Sequence, residues 1–109
     1  MVKKLREKKA EDKRLQDYEL IYIIRPDAVD EAIETRVNGI NQFITGREGV
    51  ISETQKWGKR KLAYPIKHFL EGNYVLTKFQ MSPVRCKELE ANLKISEEIL
   101  RHLLVKVGS

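Results

Sequence analysis

The sequence predicts one α+β domain whose elements follow the order β-α-β-β-α-β. Three observations lead to this fold class. A chain of 109 residues is long enough for a single core, segments with a strand-like apolar period are interleaved with two segments of helical period, and Gly, Pro or Ser stands at the breaks. Right-handed crossover connections place both helices on the same face of the sheet. The expected architecture is therefore a ferredoxin-like sandwich, a four-stranded antiparallel sheet with two helices on one face.

The first strand and first helix have the clearest patterns. Residues 18–25 alternate with a two-residue period and are rich in aromatic and β-branched types, which is typical of a central strand. Pro26 ends it, and a helix follows from about Ala28 to Thr45, with acidic residues near its positive end. Gly46 and Gly49 are expected to end this helix. Its apolar residues at helical spacing are Ile33, Val37, Ile40 and Ile44.

The second and third strands are expected to form a hairpin. Val50–Ile66 is long for a strand, and its alternation is disturbed near Gly58, which indicates a bulge or bend. Pro65 has no backbone N–H, so this strand cannot be hydrogen-bonded to neighbouring strands along both of its sides. It is therefore expected at the edge of the sheet. Residues 67–72 turn the chain, and Tyr74–Gln80 is the third strand.

The last two elements complete the fold. Ser82 is predicted to cap the second helix, with Pro83 at its first position and Leu89 and Leu93 on its buried side. Ile99–Val107 is the fourth strand. The usual strand order for this topology is four-one-three-two, which again puts strand two at an edge. The sheet face without helices is then open to a partner.

Positive charge is concentrated at the N-terminus. The whole chain has a net charge of +5, and residues 1–16 hold seven bases against three acids, so 7 − 3 = +4 of it lies there. We therefore divide the chain into a charged N-terminal extension, residues 1–17, and a folded domain, residues 18–107. The extension has too few apolar residues to dock on a core, and its charge favours contact with RNA. Its bases are Lys3, Lys4, Arg6, Lys8, Lys9, Lys13 and Arg14.

The sequence offers few residues that could form a catalytic or metal site. His68 and His102 are the only imidazoles, and the chain shows no nucleophile with a matching base and no Gly-rich phosphate loop. Cys86 is the only cysteine, so an internal disulfide and a Cys pair for metal are both excluded. We expect no enzyme, no cofactor and no metal, with His68 in a solvated loop, His102 at a polar position on the sheet and Cys86 buried.

The chain also lacks the marks of export. It contains no apolar run near the 18 or so residues that span a bilayer and no apolar signal segment. The acids and the absence of Ser in the extension disfavour an organelle transit peptide. We expect a soluble cytoplasmic protein that does not contact membranes.

A second concentration of positive charge lies on the predicted edge strand. No acid occurs between Glu53 and Glu71, and Trp57 lies among the bases. An indole can stack on an RNA base or pack on protein, while neighbouring bases contact phosphates. Edge lysines also discourage aggregation between sheets, but for the whole group we favour a polyanion contact. Trp57 alone fits a core lid equally well. The bases of the group are Lys56, Lys59, Arg60 and Lys61.

The same element order occurs in the RNA-recognition motif, which stacks bases on aromatics of its third strand. The segment from Gly72 to Phe79 lacks the second glycine and the first aromatic of that pattern. RNA contact is therefore expected at the edge strand, the loops and the extension.

Several motifs of the domain form a recognisable set. They are Tyr18 and Glu19 at the start of strand one, Pro26 after it, WGKRKLAYPI at 57–66, Gly72 with Tyr74, and Leu100 with Arg101. Together they resemble the family of bacterial small-subunit ribosomal protein six. The resemblance covers residues 18–107, and its 57–66 string is far more specific than the topology.

The resemblance implies a structural protein of the ribosome. It implies binding to the central domain of small-subunit ribosomal RNA and pairing with small-subunit ribosomal protein eighteen. It places residues 57–64 where the family meets both, and gives Arg101 as a further candidate. Leu62, Tyr64 and Ile66 could instead be inward packing. Within residues 56–64 we take as RNA or partner contacts Lys56, Trp57, Lys59, Arg60, Lys61 and Tyr64.

The sequence departs from the family at both ends. Members commonly start close to the first strand, so the role of the extension cannot be transferred, and some members carry a long C-terminal tail where this sequence stops at Ser109. The competing function is a protein-pairing module that uses the edge strand, with RNA contact secondary. A small ferredoxin-like enzyme or metal carrier would need a nucleophile, an anion loop or a Cys pair.

Overall fold

The computed structural model describes residues 14–108 of the chain. The elements are β1 (Gln16–Ile24), α1 (Asp30–Gly46), β2 (Val50–Ile66), β3 (Phe69–Met81), α2 (Pro83–Ile95) and β4 (Ile99–Lys106). All strand pairs are antiparallel, and their order in the sheet is β2-β3-β1-β4. The predicted ferredoxin-like topology and the edge position of β2 are therefore confirmed.

The helices cover one face of the sheet, which we call the helix side. Alternate residues of β1, such as Leu20 and Tyr22, are fully buried there and pack with Val75 and Phe79 of β3. Burial of these side chains supplies most of the stabilisation of the domain. The two helices contribute to this core Val37, Ile40, Ile44, Cys86, Leu89 and Leu93. Cys86 is buried as predicted.

Local signals placed most helix ends correctly. The Oγ of Ser82 accepts a hydrogen bond from the backbone N–H of Arg85 at 3.4 Å, and Pro83 is the first residue of α2. Helix α1 begins at Asp30, two residues later than predicted, after a turn at residues 26–27 and an extended N-cap, Val29, that makes no side-chain hydrogen bond. At its other end, Gly49 donates its N–H to the carbonyl of Ile44 at 2.9 Å.

The prediction for the start of β3 was wrong. The strand begins at Phe69 and not at Tyr74, so β2 and β3 are joined by only two residues, Lys67 and His68. Both residues have a positive φ, 49° and 72°. A two-residue hairpin turn requires this of its central residues when the turn follows the twist of the strands. Neither is the Asn or Gly that normally signals such a turn.

The resulting β2–β3 hairpin gives the domain its elongated shape of 51 × 25 × 24 Å. Strand β2 has 17 residues and β3 has 13. The register shifts between Lys56 and Gly58, and Gly58 has a φ of 81° that favours glycine. The bulge predicted near Gly58 is confirmed, and Trp57 is the extra residue that it inserts.

Candidate RNA and partner interface

The basic segment, residues 56–61 of β2, lies on the free edge of the sheet and has two sides. On β3, Lys56 faces Val75 and Lys59 faces Asn73, two buried residues whose side chains point to the helix side. Arg60 faces Gly72, which contacts Ile23 on the opposite face, here called the open side. The bulge at Trp57 therefore separates the bases into two groups. Lys56, Lys59 and Lys61 lie on the helix side, and Arg60 lies on the open side.

The three lysines differ in what they contact. Lys56 forms an ion pair with Glu34 of α1, so its charge is already compensated. Lys59 lines a cleft of about 570 Å³ between the start of α1 and the hairpin, together with Asp30 and Glu34. Lys61 lies opposite Glu71 near the end of the hairpin. Within the described residues neither Lys59 nor Lys61 forms a salt bridge, and both are exposed. They are the bases of this side that are available to phosphate.

Trp57 forms a stacked group on the open side. Its ring lies nearly parallel to Tyr74, with centroids 6.5 Å apart and an interplanar angle of 13°. The guanidinium of Arg60 is 5.2 Å from the Trp57 ring centroid, and the indole N–H donates to Gln55 Oε1 at 2.9 Å. The indole is half-buried by these neighbours and does not cover the helix-side core.

A small second core holds the hairpin to the rest of the sheet. Leu62, Ile23 and Leu100 are buried together on the open side, and Ile66 packs against them. The inward-packing alternative is thus correct for Leu62 and Ile66. Tyr64 differs, because 53% of it is exposed and Arg101 lies over its ring at 5.5 Å.

Sequence reasoning missed an exposed apolar strip on the open side. Leu103 and Val105 of β4 are 59% and 46% exposed, and Leu103 faces Ile21 across the sheet. Glu19 faces Val105 in the next row. The topology predicted that the face without helices is uncovered, but the apolar residues of β4 that project from it were not identified, because both faces of this strand are apolar in sequence.

The two histidines are not placed for catalysis. His68 is exposed in the hairpin turn. The His102 side chain lies on the helix side, 15% exposed, with Nε2 3.9 Å from Glu90 Oε1. In the part of the chain that is described, no group of three metal-binding side chains occurs. Neither described helix is long and apolar enough to cross a membrane.

Three buried ionisable groups, Tyr18, Tyr22 and Cys86, belong to the core, and burial raises the pKa of Tyr22 above its ordinary value. Burial, with a smaller effect from Cys86, raises the pKa of Tyr18 to about 12. Burial likewise raises the pKa of the Cys86 thiol to about 11, although its hydrogen bond with Tyr18 acts in the opposite direction. A thiol that stays protonated at neutral pH is a poor nucleophile.

The N-terminal bases lie mostly outside the described residues. This applies to Lys3, Lys4, Arg6, Lys8, Lys9 and Lys13, whereas Arg14 is described and is exposed before β1. Gln16 faces Met81 at the end of β3, while Lys61 faces Glu71 near its beginning. The extension is therefore joined to the domain near one end of β3, and the basic segment lies near the other end.

Comparison with known proteins shows the family to which the chain belongs. A model of the family "Ribosomal protein S6" matches residues 17–106. The chain belongs to the ribosomal protein S6 family. It is 41% identical to "Small ribosomal subunit protein bS6" of Fusobacterium nucleatum over 92 residues, 84% of this chain and 98% of the relative. It is 37% identical to the protein of that name from Dehalococcoides mccartyi over 99 residues, 91% of each chain.

A solved S6 structure has the same fold. The crystal structure of 30S ribosomal protein S6 from Thermotoga maritima is 32% identical and superposes with a TM-score of 0.81, covering 85% of this chain and 88% of that one. As a member of the S6 family the chain is a protein of the small ribosomal subunit and is located in the ribosome, in the cytoplasm. The S6 family is a family of ribosomal structural proteins and not of enzymes.

Proposed function

We propose that the chain binds the central domain of small-subunit ribosomal RNA together with small-subunit ribosomal protein eighteen. The observation that supports RNA binding best is the pair Lys59 and Lys61, two exposed bases on a projecting hairpin with no salt bridge among the described residues. Phosphates approach such charges without displacing an existing carboxylate partner. The protein acts through charge and shape and catalyses no reaction.

The extension supplies a second contact. The extension is joined to the domain near Gln16, which faces Met81 at the end of β3 that is opposite to Lys61. This part of the proposal depends on charge alone.

The test is the salt dependence of binding. Each phosphate contact contributes roughly 0.9 to the log–log slope on duplex nucleic acid, so the double replacement Lys59→Ala with Lys61→Ala is expected to lower the slope by roughly 2. Filter binding of the full chain to a central-domain RNA fragment, with protein eighteen present, measures it. Removal of residues 1–13 is expected to lower the slope further.

The matched control removes the same charge elsewhere. Lys87→Ala with Lys94→Ala takes two exposed lysines from α2 and is expected to leave the slope within about 0.5 of the native value, because non-contacting charges act only through the screened field. Equal slopes for both double variants would remove the basic segment from the RNA contact.

A second candidate function is a protein-pairing module in which RNA contact is secondary. The exposed apolar strip on β4 favours it, since exposed apolar patches mark protein contacts. This function predicts that the isolated chain hardly binds the RNA fragment and that protein eighteen restores binding.

A further inference from the structure

We propose that the helix-side core contains an internal hydration site, at which Tyr22, Thr77 and Asn41 bind water between the sheet and α1. The three side chains come from β1, β3 and α1, and each has a buried oxygen atom. Within the described residues, none of these oxygens has a hydrogen-bond partner. The site takes no part in the proposed RNA and protein contacts, so the inference stands apart from the proposed function.

The register of the sheet brings the two hydroxyl groups together. Tyr22 lies opposite Val75 of β3, and Thr77 is two residues further along the same face. Diagonal neighbours of this kind are about 7 to 8 Å apart, a distance that an aromatic side chain can span. Burial raises the pKa of Tyr22, and the neighbouring Thr77 hydroxyl acts in the opposite direction. Both side chains are fully buried, so their oxygens end in the same part of the core.

Asn41 approaches this part of the core from α1. Its Nδ2 donates a hydrogen bond to Thr54 Oγ1 of β2 at 3.3 Å. Thr54 in turn lies directly opposite Thr77 in the hairpin, and side chains in this relation have Cβ atoms about 4.5 to 5.5 Å apart. The amide nitrogen of Asn41 is therefore used by β2, while its buried Oδ1 remains available on the helix side.

Water matches the hydrogen-bonding groups of this cluster. The Oδ1 of Asn41 can only accept a hydrogen bond, whereas each of the two hydroxyls can both donate and accept. A buried water molecule typically makes about three hydrogen bonds to polar groups that the protein itself leaves unpaired. Three unpaired oxygens in the core would destabilise the fold, because each has lost its hydration without gaining a partner.

A monovalent cation is the other species that neutral oxygens could bind. The guanidinium of Arg36 disfavours it, because a positive charge already lies near the Tyr22 phenol. Burial has the largest effect on the pKa of Tyr22 and raises it, whereas the charge of Arg36 lowers it. The Nε of Arg36 also donates to Glu98 at 3.0 Å, which reduces the repulsion without removing it. A neutral water molecule is not repelled by this charge.

The test counts the water molecules that stay inside the free, full-length chain. Magnetic relaxation dispersion of the water oxygen nucleus counts them without interference from exchanging hydroxyl protons. The double variant Tyr22→Phe with Thr77→Val removes both hydroxyls at nearly constant volume and is expected to lose about one long-lived water. Tyr18→Phe is the matched control, because it removes a phenol of the same strand that interacts with Cys86. It is expected to keep the native count.

Two results of this measurement overturn the inference. The first is an equal count for the native chain and the double variant, which leaves a direct hydrogen bond between the Tyr22 and Thr77 hydroxyls as the alternative. The second is an equal loss in the Tyr18→Phe control, which would show that the lost water is not bound at this cluster.

Two further measurements need only the native chain. A high-resolution crystal structure is expected to show an ordered water roughly 2.7 to 3.2 Å from Tyr22 Oη and Thr77 Oγ1, and empty density at that position overturns the inference. The urea midpoint is expected to be the same in sodium, potassium and choline salts of equal ionic strength. A midpoint that rises with one alkali cation overturns it in favour of a cation site.

Discussion

On the helix side of the sheet, Phe79 is 2% exposed and stacks on Tyr18 with ring centroids 5.7 Å apart, whereas on the open side Leu103 leaves 59% of its area in water. Both are large apolar residues of the same sheet. Phe79 is surrounded by the core that the helices complete. Leu103 faces Ile21 on β1 and lines an open groove along β4 with Ile23 and Arg101.

The difference between the two sides shows which apolar residues stabilise the fold and which remain on the surface. Apolar area on the helix side is removed from water during folding and stabilises the domain. The strip on the open side stays in water, so it contributes little to folding. The small cluster of Ile23, Leu62 and Leu100 lies between these extremes and anchors the hairpin.

The largest expected difference between the two sides is in unfolding free energy. Phe79→Ala is expected to destabilise the domain by about 3 to 5 kcal/mol, because it leaves a cavity in a closed core. Leu103→Ala is expected to change stability by less than about 0.5 kcal/mol. Urea unfolding followed by circular dichroism measures both. A similar cost for the two variants would show that the open side is part of the folding core.

Gly72 tests how tightly the hairpin lies against the second core. A Cβ at this position would lie 2.2 Å from Cγ2 of Ile23, so Gly72→Ala is expected to cost about 1 to 3 kcal/mol by overpacking. Gly39→Ala is the matched control, since nothing lies within 4 Å of its Cβ in α1. That variant is expected to stabilise the domain by about 0.4 to 1 kcal/mol. If both variants lost stability, the loss in Gly72→Ala would be attributed to backbone conformation and not to contact with Ile23.

Much of this fold could be predicted because its signals are local. Ser82 with Pro83 identified the start of α2, and the disturbed alternation at Gly58 identified the bulge. The turn at Lys67 and His68 could not be predicted, because neither residue has the conformational preference that marks a two-residue hairpin. Tertiary pairing of the strands overrides local preference there.

The division of the basic segment depends on register and could not be predicted from alternation alone. Counting in twos from Lys56 puts Arg60 on the same side, but the extra residue at Trp57 reverses the count. Similarly, the Leu and Val content of β4 predicted a strand without showing that Leu103 would face solvent. The element order predicted the uncovered face, but both faces of β4 are apolar in sequence, so alternation did not show which of its residues project from that face.

The last expected difference is alkaline loss of stability, which should come from buried groups on the helix side. Tyr18 and Cys86 are neutral when protonated, and in the folded chain their pKa values are raised to about 12 and about 11 from ordinary values of 10.0 and 9.0. The folded state thus keeps protons that the unfolded chain releases. Their contribution to stability is fully present below about pH 9 and is lost as the pH rises toward 12.

Tyr18→Phe is expected to reduce the fall of unfolding free energy between pH 10 and 12, because the variant has one buried phenol fewer, while Tyr22 and Cys86 still contribute to the fall. Tyr64→Phe is the control, since Tyr64 is 53% exposed on the open side, and its curve is expected to run parallel to that of the native chain. Urea midpoints in steps from pH 8 to 12 give both curves. If Tyr64→Phe flattened the curve as much as Tyr18→Phe, alkaline sensitivity would not distinguish the two sides of the sheet. A parallel curve for Tyr18→Phe would show that its burial does not contribute to the pH dependence of stability.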